Sequence, residues 1–374
     1  MRFADLKNRE KIDKEKAERA LHAHLCRCTG WQTILEAWDT YEDTHSLPDP
    51  DKSKLRAELE GGSPQTTGID IALGKGGFSS DTAPPESLFA VLNTQNEWVV
   101  GETLTEARQK AGKIQGRRTT ISPEPPLELP DGDWIATLQT NWVDPAYLEI
   151  DASWCEPNGT PSSLLANGGA FGAKKESPVQ IAAQQLANQY GKPVLAQFSR
   201  EDTVRFGPKR PPVAGGIDST GKGILRVVQT PGIVDAIERF TSEIHVEEIK
   251  IMGPPTSSHA RAAGWAEVAA LLSAFKGEPQ TITNPNGGSA YAQVTAEGIT
   301  VSVRCGNPLD EKTLRAYCIG AAHMAWSWVT SESLAVDKEG EIHDLTIRSF
   351  GITPASITPP ITVIIEQDEG EPVN

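Results

Sequence analysis

The sequence predicts an α+β fold, and three observations carry that prediction. Short apolar runs of strand length alternate with helical patterns. Their order is too irregular for a doubly wound sheet, and a long alternating segment late in the chain reads as a hairpin. Taken in order, Asp13 is placed to cap a helix whose face carries Ala17, Ala20, Leu21, His24 and Leu25. Thr29 and Gly30 interrupt that pattern. Trp31, Ile34, Leu35 and Trp38 then form a second apolar stripe, which leaves Cys26, Arg27 and Cys28 at the elbow of a helix pair.

From His45 to about Lys75 the chain turns polar and rich in Pro, Asp, Gly and Ser, the composition of a solvated linker. Residues 1–45 therefore read as one partial helical domain, 46–75 as linker and 76–374 as a second region with a sub-boundary near 215–225. Beyond the linker, "LFAVL" from Leu88 and "EWVVGE" from Glu97 predict strands, with a short helix over Thr105 to Ala111. A strand is expected over Trp134 to Val143, a helix over Pro178 to Tyr190 ended by Gly191, and a strand over Ile224 to Val228. A helix over Ala262 to Phe275 precedes the hairpin, Ala290 to Cys305, which turns at "AEG". A helix over Glu311 to Thr330 and strands near Leu345 to Phe350 and Ile361 to Ile365 complete the series.

Composition excludes several functions. Among 374 residues, 35 Lys and Arg face 50 Asp and Glu, so the net charge of −15 repels nucleic acid. The longest apolar runs, such as "ITVII" at Ile361, fall well short of the roughly 20 residues that cross a bilayer. The charged N-terminus lacks the apolar core of a secretion signal, which predicts the cytoplasm. In that reducing setting five cysteines, an odd number, predict ligands, nucleophiles or core residues before disulfides.

The first chemical signal is "HLCRCTGWQTILEAW", His24 to Trp38. Spacing alone leaves two readings of Cys26 and Cys28 open: thiolate ligands, of which a [2Fe–2S] cluster needs four, or small buried hydrophobes. The second is "NGGAFGAKKE", Asn167 to Glu176. Bare backbone there allows close approach to a ligand, and the helix that follows offers an N-terminus to anions; an ordinary tight turn is the other reading. His22, His24, His45, His245, His259, His323 and His343 are too scattered to form a metal site visible in the sequence. Cys155, Cys305 and Cys318, without partners at ligand spacing, are expected in the core.

These motifs resemble those of the molybdenum hydroxylases, the xanthine dehydrogenase and aldehyde oxidase family. "CRCTGW" is similar to the segment joining two helices of that family's [2Fe–2S] domain, where a C-x-x-C pair completes the cluster. No C-x-x-C occurs in this chain, and too little sequence precedes Cys26 for the partner helix. The resemblance therefore implies half a cluster site, completed by cysteines outside this chain. "GGAFGAKK", a helix, "GKPVLAQ" and "SRED" follow in the order and near the spacing of the family's cofactor loop. The resemblance places Gly168, Gly169, Ala170, Phe171, Gly172 and Ala173 against a molybdopterin cofactor, with Lys175 where the family has a substrate-side Glu.

"SHARAAGWAEVAALL" resembles an R-G-x-G element followed by a helix, which makes Arg261 a candidate for orienting substrate. In the C-terminal pattern Gly320 and Glu332 keep the family's register, while Tyr317 stands where a cofactor-binding Gln is usual. "DEGEPVN" resembles the loop bearing the general base, a role that falls to Glu371. The family implies oxidation of an aldehyde or N-heterocycle with oxygen from water. Electrons would leave through [2Fe–2S] clusters to a ferredoxin-like partner, with FAD only in a separate subunit. The central pterin-gripping segment, Q-G-x-G-T, is missing. The alternatives are a split subunit that works only with a partner polypeptide, and a degenerate member without metal that serves in assembly.

Overall fold

The structure, a computed structural model, describes residues 13–21, 30–43, 49–64, 66, 68–113, 121–145, 149–164, 171–172, 174–343 and 345–373. Among them three four-stranded mixed sheets form, with helices against them, so the class is α+β. Each sheet contains an antiparallel hairpin joined by a parallel strand.

In the first sheet β1 (Leu88–Leu92) and β2 (Trp98–Gly101) form the hairpin. Its turn is set by the Asn93 side chain, which accepts from the backbone N–H groups of Gln95 and Glu97, both at 2.9 Å. Helix α6 (Leu104–Ala111) follows, numbered after the five helices of residues 14–82 described below, and packs on this hairpin. Strand β5 (Val194–Gln197) runs parallel to β1, and β4 (Ala152–Cys155) closes the sheet antiparallel to β5. Helix α7 (Pro178–Tyr190) starts with Pro at its first turn and ends at Gly191 in the left-handed region, φ 61°. Its Val179, Ala182, Ala183 and Ala187 are buried against β4 and β5.

The second sheet has the order β3 (Ala136–Gln139), β6 (Val213–Ile217), β7 (Gly223–Val228), β8 (Ile244–Ile249). Helix α8 (Arg200–Phe206) precedes β6. Helix α9 (Ile233–Glu238) makes the crossover from β7 to parallel β8, and α10 (Trp265–Lys276) covers β3 and β6. Ile233, Ile237, Leu225, Val227, Val268 and Leu271 meet there with side chains 2% exposed or less. Each such burial contributes roughly 1.5–3 kcal/mol against conformational entropy.

The third sheet is built from β9 (Ile282–Thr283), β10 (Ser289–Thr295), β11 (Gly298–Arg304) and β12 (Ile361–Ile365). The long helix α11 (Glu311–Thr330), capped by Asp310, lies between β11 and β12 in sequence and packs on both. The N-terminal helices α1 (Lys14–Leu21) and α2 (Gln32–Asp39) dock onto this unit. Gln32 donates to the Ile361 carbonyl at 2.8 Å and accepts from the Ile361 N–H at 3.0 Å. Arg315 meets both oxygens of Glu36 at 2.7 Å, and Trp31 stacks edge-on to His323 with centroids 5.1 Å apart.

Four stretches differ from the sequence expectation. Helix α3 (Pro50–Leu59) forms within the expected linker, because Asp49 caps it, accepting from Asp51 N–H at 2.9 Å, and Pro50 opens its first turn. Short helices α4 (Ile69–Ala72) and α5 (Ser79–Thr82) follow. The expected strand over Trp134 to Val143 is regular only as β3; beyond Thr140 the chain leaves the sheet so that Trp142 can enter the core. Helix α10 begins at Trp265 rather than Ala262, since Ala262 (φ 56°) and Gly264 (φ 79°) are left-handed. Around Ile347–Ser349 a 3₁₀ turn closed by the Thr346 and Ser349 hydroxyls, 2.9 Å apart, stands where a strand was expected. No helix among the described residues is long and apolar enough to cross a membrane.

Candidate functional site

A cavity of about 410 Å³ opens between α3, the start of α10, the β9 to β11 edge and α11. Its wall is largely apolar, with Leu59, Trp265, Ile282, Val303, Leu309 and Leu314 among its members. Arg56, Glu60, Arg261 and Tyr317 cluster at one end, and Asn284, Ser289, Arg304 and Thr313 also line the cavity. Two other hollows, of about 520 and 660 Å³, are lined by residues 229–235 with Glu248 and by residues 222–223, Glu238 and 242–246. Neither contains a residue singled out by the motifs.

At the polar end Tyr317 is flanked by two guanidinium groups. Arg56 donates to its hydroxyl and lies 5.5 Å from the ring centroid, while Arg261 lies 5.3 Å from it. Glu60 sits between the arginines, 3.7 Å from Arg56 and 3.8 Å from Arg261. Burial first, then the Glu60 carboxylate, pushes the Tyr317 phenol above its usual range, so it keeps its proton at neutral pH. Asp310 is committed to capping α11, accepting from Thr313 N–H at 2.7 Å, which holds its carboxyl below the usual range. Cys305 and Cys318 line the same cavity. The expectation of a core position is corrected for both: they are half-buried, in contrast to fully buried Cys155. Burial and then neighbouring Cys305 raise the Cys318 thiol to about 11, and burial with Asp368 raises Cys305.

Arg261 reaches this end because its backbone is held on two sides. Its N–H donates to the Phe171 carbonyl at 2.8 Å. Its own carbonyl accepts from Arg210 at 2.5 Å, and Arg210 also donates to Ala262 O at 3.0 Å. Arg210 is in turn fixed by both oxygens of Glu267, at 2.8 and 2.9 Å, and lies 4.6 Å over the Trp328 ring. The Glu267 carboxylate also accepts from Gly264 N–H at 3.0 Å, closing the turn that opens α10. Gly172, at φ 89°, packs so tightly that an added Cβ would fall 2.2 Å from the His259 carbonyl oxygen. Lys174 then ties the end of this loop to the first sheet through Asp151 and the Glu149 carbonyl, each at 3.1 Å, with its side chain 2% exposed. Burial holds the Lys174 ammonium below its usual range against the pull of Asp151.

Of the residues singled out by sequence, Arg261 lines the cavity, and Phe171 and Gly172 contact the loop that carries it. Gly320 lies on the buried face of α11 one turn from Tyr317. Glu371 is exposed at the rim; Pro372 and Val373 beside it line the cavity, and its carbonyl oxygen lies against Gly306, where an added Cβ would meet it at 2.1 Å. Cys26, Cys28, Gly168, Gly169, Ala170 and Ala173 lie outside the described residues. Sequence reasoning missed Arg56, Glu60, Arg210 and Glu267. The Asp-Pro helix start and the i, i+4 spacing of Arg56 and Glu60 were the available signal for the first pair; Arg210 and Glu267, 57 residues apart, left none.

The described lining does not match a whole molybdopterin group. A pterin presents hydrogen-bonding edges around its rings and carries a phosphate, whereas this wall is largely apolar and its Arg304 and Arg56 are engaged by Asp368 and Tyr317. Among the described residues no group of three or more His, Cys, Asp or Glu is arranged to hold a metal ion. The arrangement suits a compact apolar molecule with one polar end.

No family model and no curated protein matches the chain. Among solved structures it is similar to the aldehyde oxidoreductase of Desulfovibrio desulfuricans ATCC 27774, with TM-score 0.46, 12% identity, 99% of this chain covered and 64% of that one. For the aldehyde oxidoreductase of Desulfovibrio gigas the values are 0.43, 12%, 85% and 60%. For quinoline 2-oxidoreductase of Pseudomonas putida 86 they are 0.36, 10%, 58% and 48%. The chain thus spans less than two thirds of each of these proteins, and TM-scores below 0.5 do not establish a shared fold.

Proposed function

We propose that the chain is a subunit or fragment of a molybdenum-dependent hydroxylase and supplies the small-molecule side of its site. One observation carries this reading. Motif-bearing segments far apart in sequence, those of Phe171, Arg261, Tyr317 with Gly320, and Glu371 with Pro372, meet at or beside one cavity. In this reading the substrate is an aldehyde or N-heterocycle that takes oxygen from water. Arg261 orients it, and Glu371 at the rim is the candidate base. The molybdopterin cofactor would rest on the loop 168–173 and on a partner polypeptide, which agrees with the incomplete match of the described lining. Cys26 and Cys28 would supply half of a [2Fe–2S] site completed by a ferredoxin-like subunit, with FAD on another subunit and the assembly in the cytoplasm.

A second reading, a metal-free relative that serves in assembly, is favoured by the exposure of Glu371 and by the same incomplete match. Metal analysis after co-expression with neighbouring reading frames separates the two. Stoichiometric molybdenum with iron is the expected result. Iron alone supports a split subunit that carries only the cluster half, and absence of both metals leaves the assembly reading.

A further inference from the structure

We infer that the cavity binds a small molecule with an apolar, ring-sized body and a single carboxylate, which takes the place of Glu60 on Arg261. This deepens the reading of the cavity as a small-molecule site and rests on that part of it alone, not on molybdenum.

Most charges lining the cavity are already engaged. Arg304 pairs with Asp368 at 2.9 Å, and Asp310 is occupied as a helix cap within the field of Arg56. Arg56 donates to the Tyr317 hydroxyl and lies 3.7 Å from Glu60. Unlike Arg56 and Arg304, Arg261 makes no side-chain hydrogen bond among the described residues. Its side chain is 46% exposed, and its contacts are the Tyr317 ring and the Glu60 carboxylate at 3.8 Å, beyond hydrogen-bond reach. Among the described residues, its guanidinium N–H groups therefore have no hydrogen-bonding acceptor. A planar fork of unspent donors matches a carboxylate better than any neutral group.

Much of the remaining wall is hydrocarbon, from Leu59, Trp265, Ile282, Val303, Leu309 and Leu314, with the neutral polar residues Asn284, Ser289 and Thr313 among it. The volume of about 410 Å³ falls near the lower end of ligand pockets, roughly 300–1,000 Å³. A second carboxylate would meet Arg304 already paired with Asp368. Access is governed by α3, none of whose residues is buried and whose Arg56, Leu59 and following Glu60 lean on the cavity. Glu60 thus occupies the place an incoming carboxylate would take, held 3.7 and 3.8 Å from Arg56 and Arg261 and beside the Tyr317 hydroxyl, with salt and solvent weakening its ion pairs.

Calorimetric titration of the full chain with 4-tert-butylbenzoate and with its neutral amide tests this. Saturable binding of the acid, at least about tenfold tighter than the amide, is expected. Arg261→Gln should weaken the acid about tenfold or more and leave the amide unchanged, while Glu60→Gln should tighten the acid several-fold by removing its competitor. Both side chains stand at the cavity mouth, and circular dichroism verifies that each variant is folded. Equal affinity for acid and amide, no loss in Arg261→Gln, weaker binding in Glu60→Gln, or no binding of the acid at millimolar concentration each overturns the inference. Metal content is read on the same preparation. A metal-free chain that binds the acid retains this inference while the molybdenum reading fails, and a metal-loaded chain that does not bind it has the reverse outcome.

Discussion

At the scale of single residues, Arg210 fixes the geometry around Arg261 without lining the cavity. Its guanidinium and the Glu267 carboxylate are 7% and 9% exposed, so each depends on the other to offset desolvation. Arg210→Ala leaves a buried carboxylate unpaired and frees the 261–264 turn. We expect a loss of about 3–5 kcal/mol in urea unfolding. Loss below about 1 kcal/mol would mean that the pair is solvated and holds nothing.

Cys318 makes a prediction in pH. Its thiol is raised from 9.0 to about 11 in the fold, so between those values the native chain holds a proton that the unfolded chain has lost. Stability therefore includes this contribution in full below pH 9 and loses it as pH rises toward 11. Urea melts of Cys318→Ala should lack that part of the alkaline decline, and the difference from the parent chain isolates it from the titration of Tyr and Lys.

At the scale of elements, the α1 and α2 pair is bound to the C-terminal unit by side chains rather than by a shared sheet. Trp31 is 2% exposed, sits at φ 60° before α2, and packs with Leu21, Leu127, Trp142, Leu334 and Phe350 in the central cluster. Trp31→Ala should cost about 3–5 kcal/mol. A thermal melt reporting the whole molecule, not a separate early transition, should move down with it. An unchanged main transition would show that residues 13–43 fold independently of the sheets. Helix α3 has the opposite character: with no buried residue, its position rests on contacts at the cavity mouth.

At the scale of the whole molecule, three hairpin-centred sheets each carry their own apolar cluster, and a further cluster joins the second sheet, through Ala214 and Val228, to Leu21 and Trp31 of the N-terminal segment and to Leu334 and Ile352 after α11. The cavity lies where the third sheet, α11, α3 and the 260s turn meet, so no single element contains it. That explains how the site read. Arg261 was found because a local motif surrounds it, whereas Arg56 was hidden in a polar stretch whose composition is that of a linker.

Local periodicity and turn chemistry were enough to place β1, β2, α7, β7, the β10–β11 hairpin, α11 and β12, since apolar spacing, an Asn-rich turn, Pro178 and Gly191 act within a few residues. Tertiary structure alone decided that α3 covers a cavity, that Arg210 grips Glu267, and that two thiols share an apolar wall. Those outcomes depend on desolvation and on contacts between residues tens to hundreds of positions apart, which leave no period in the sequence.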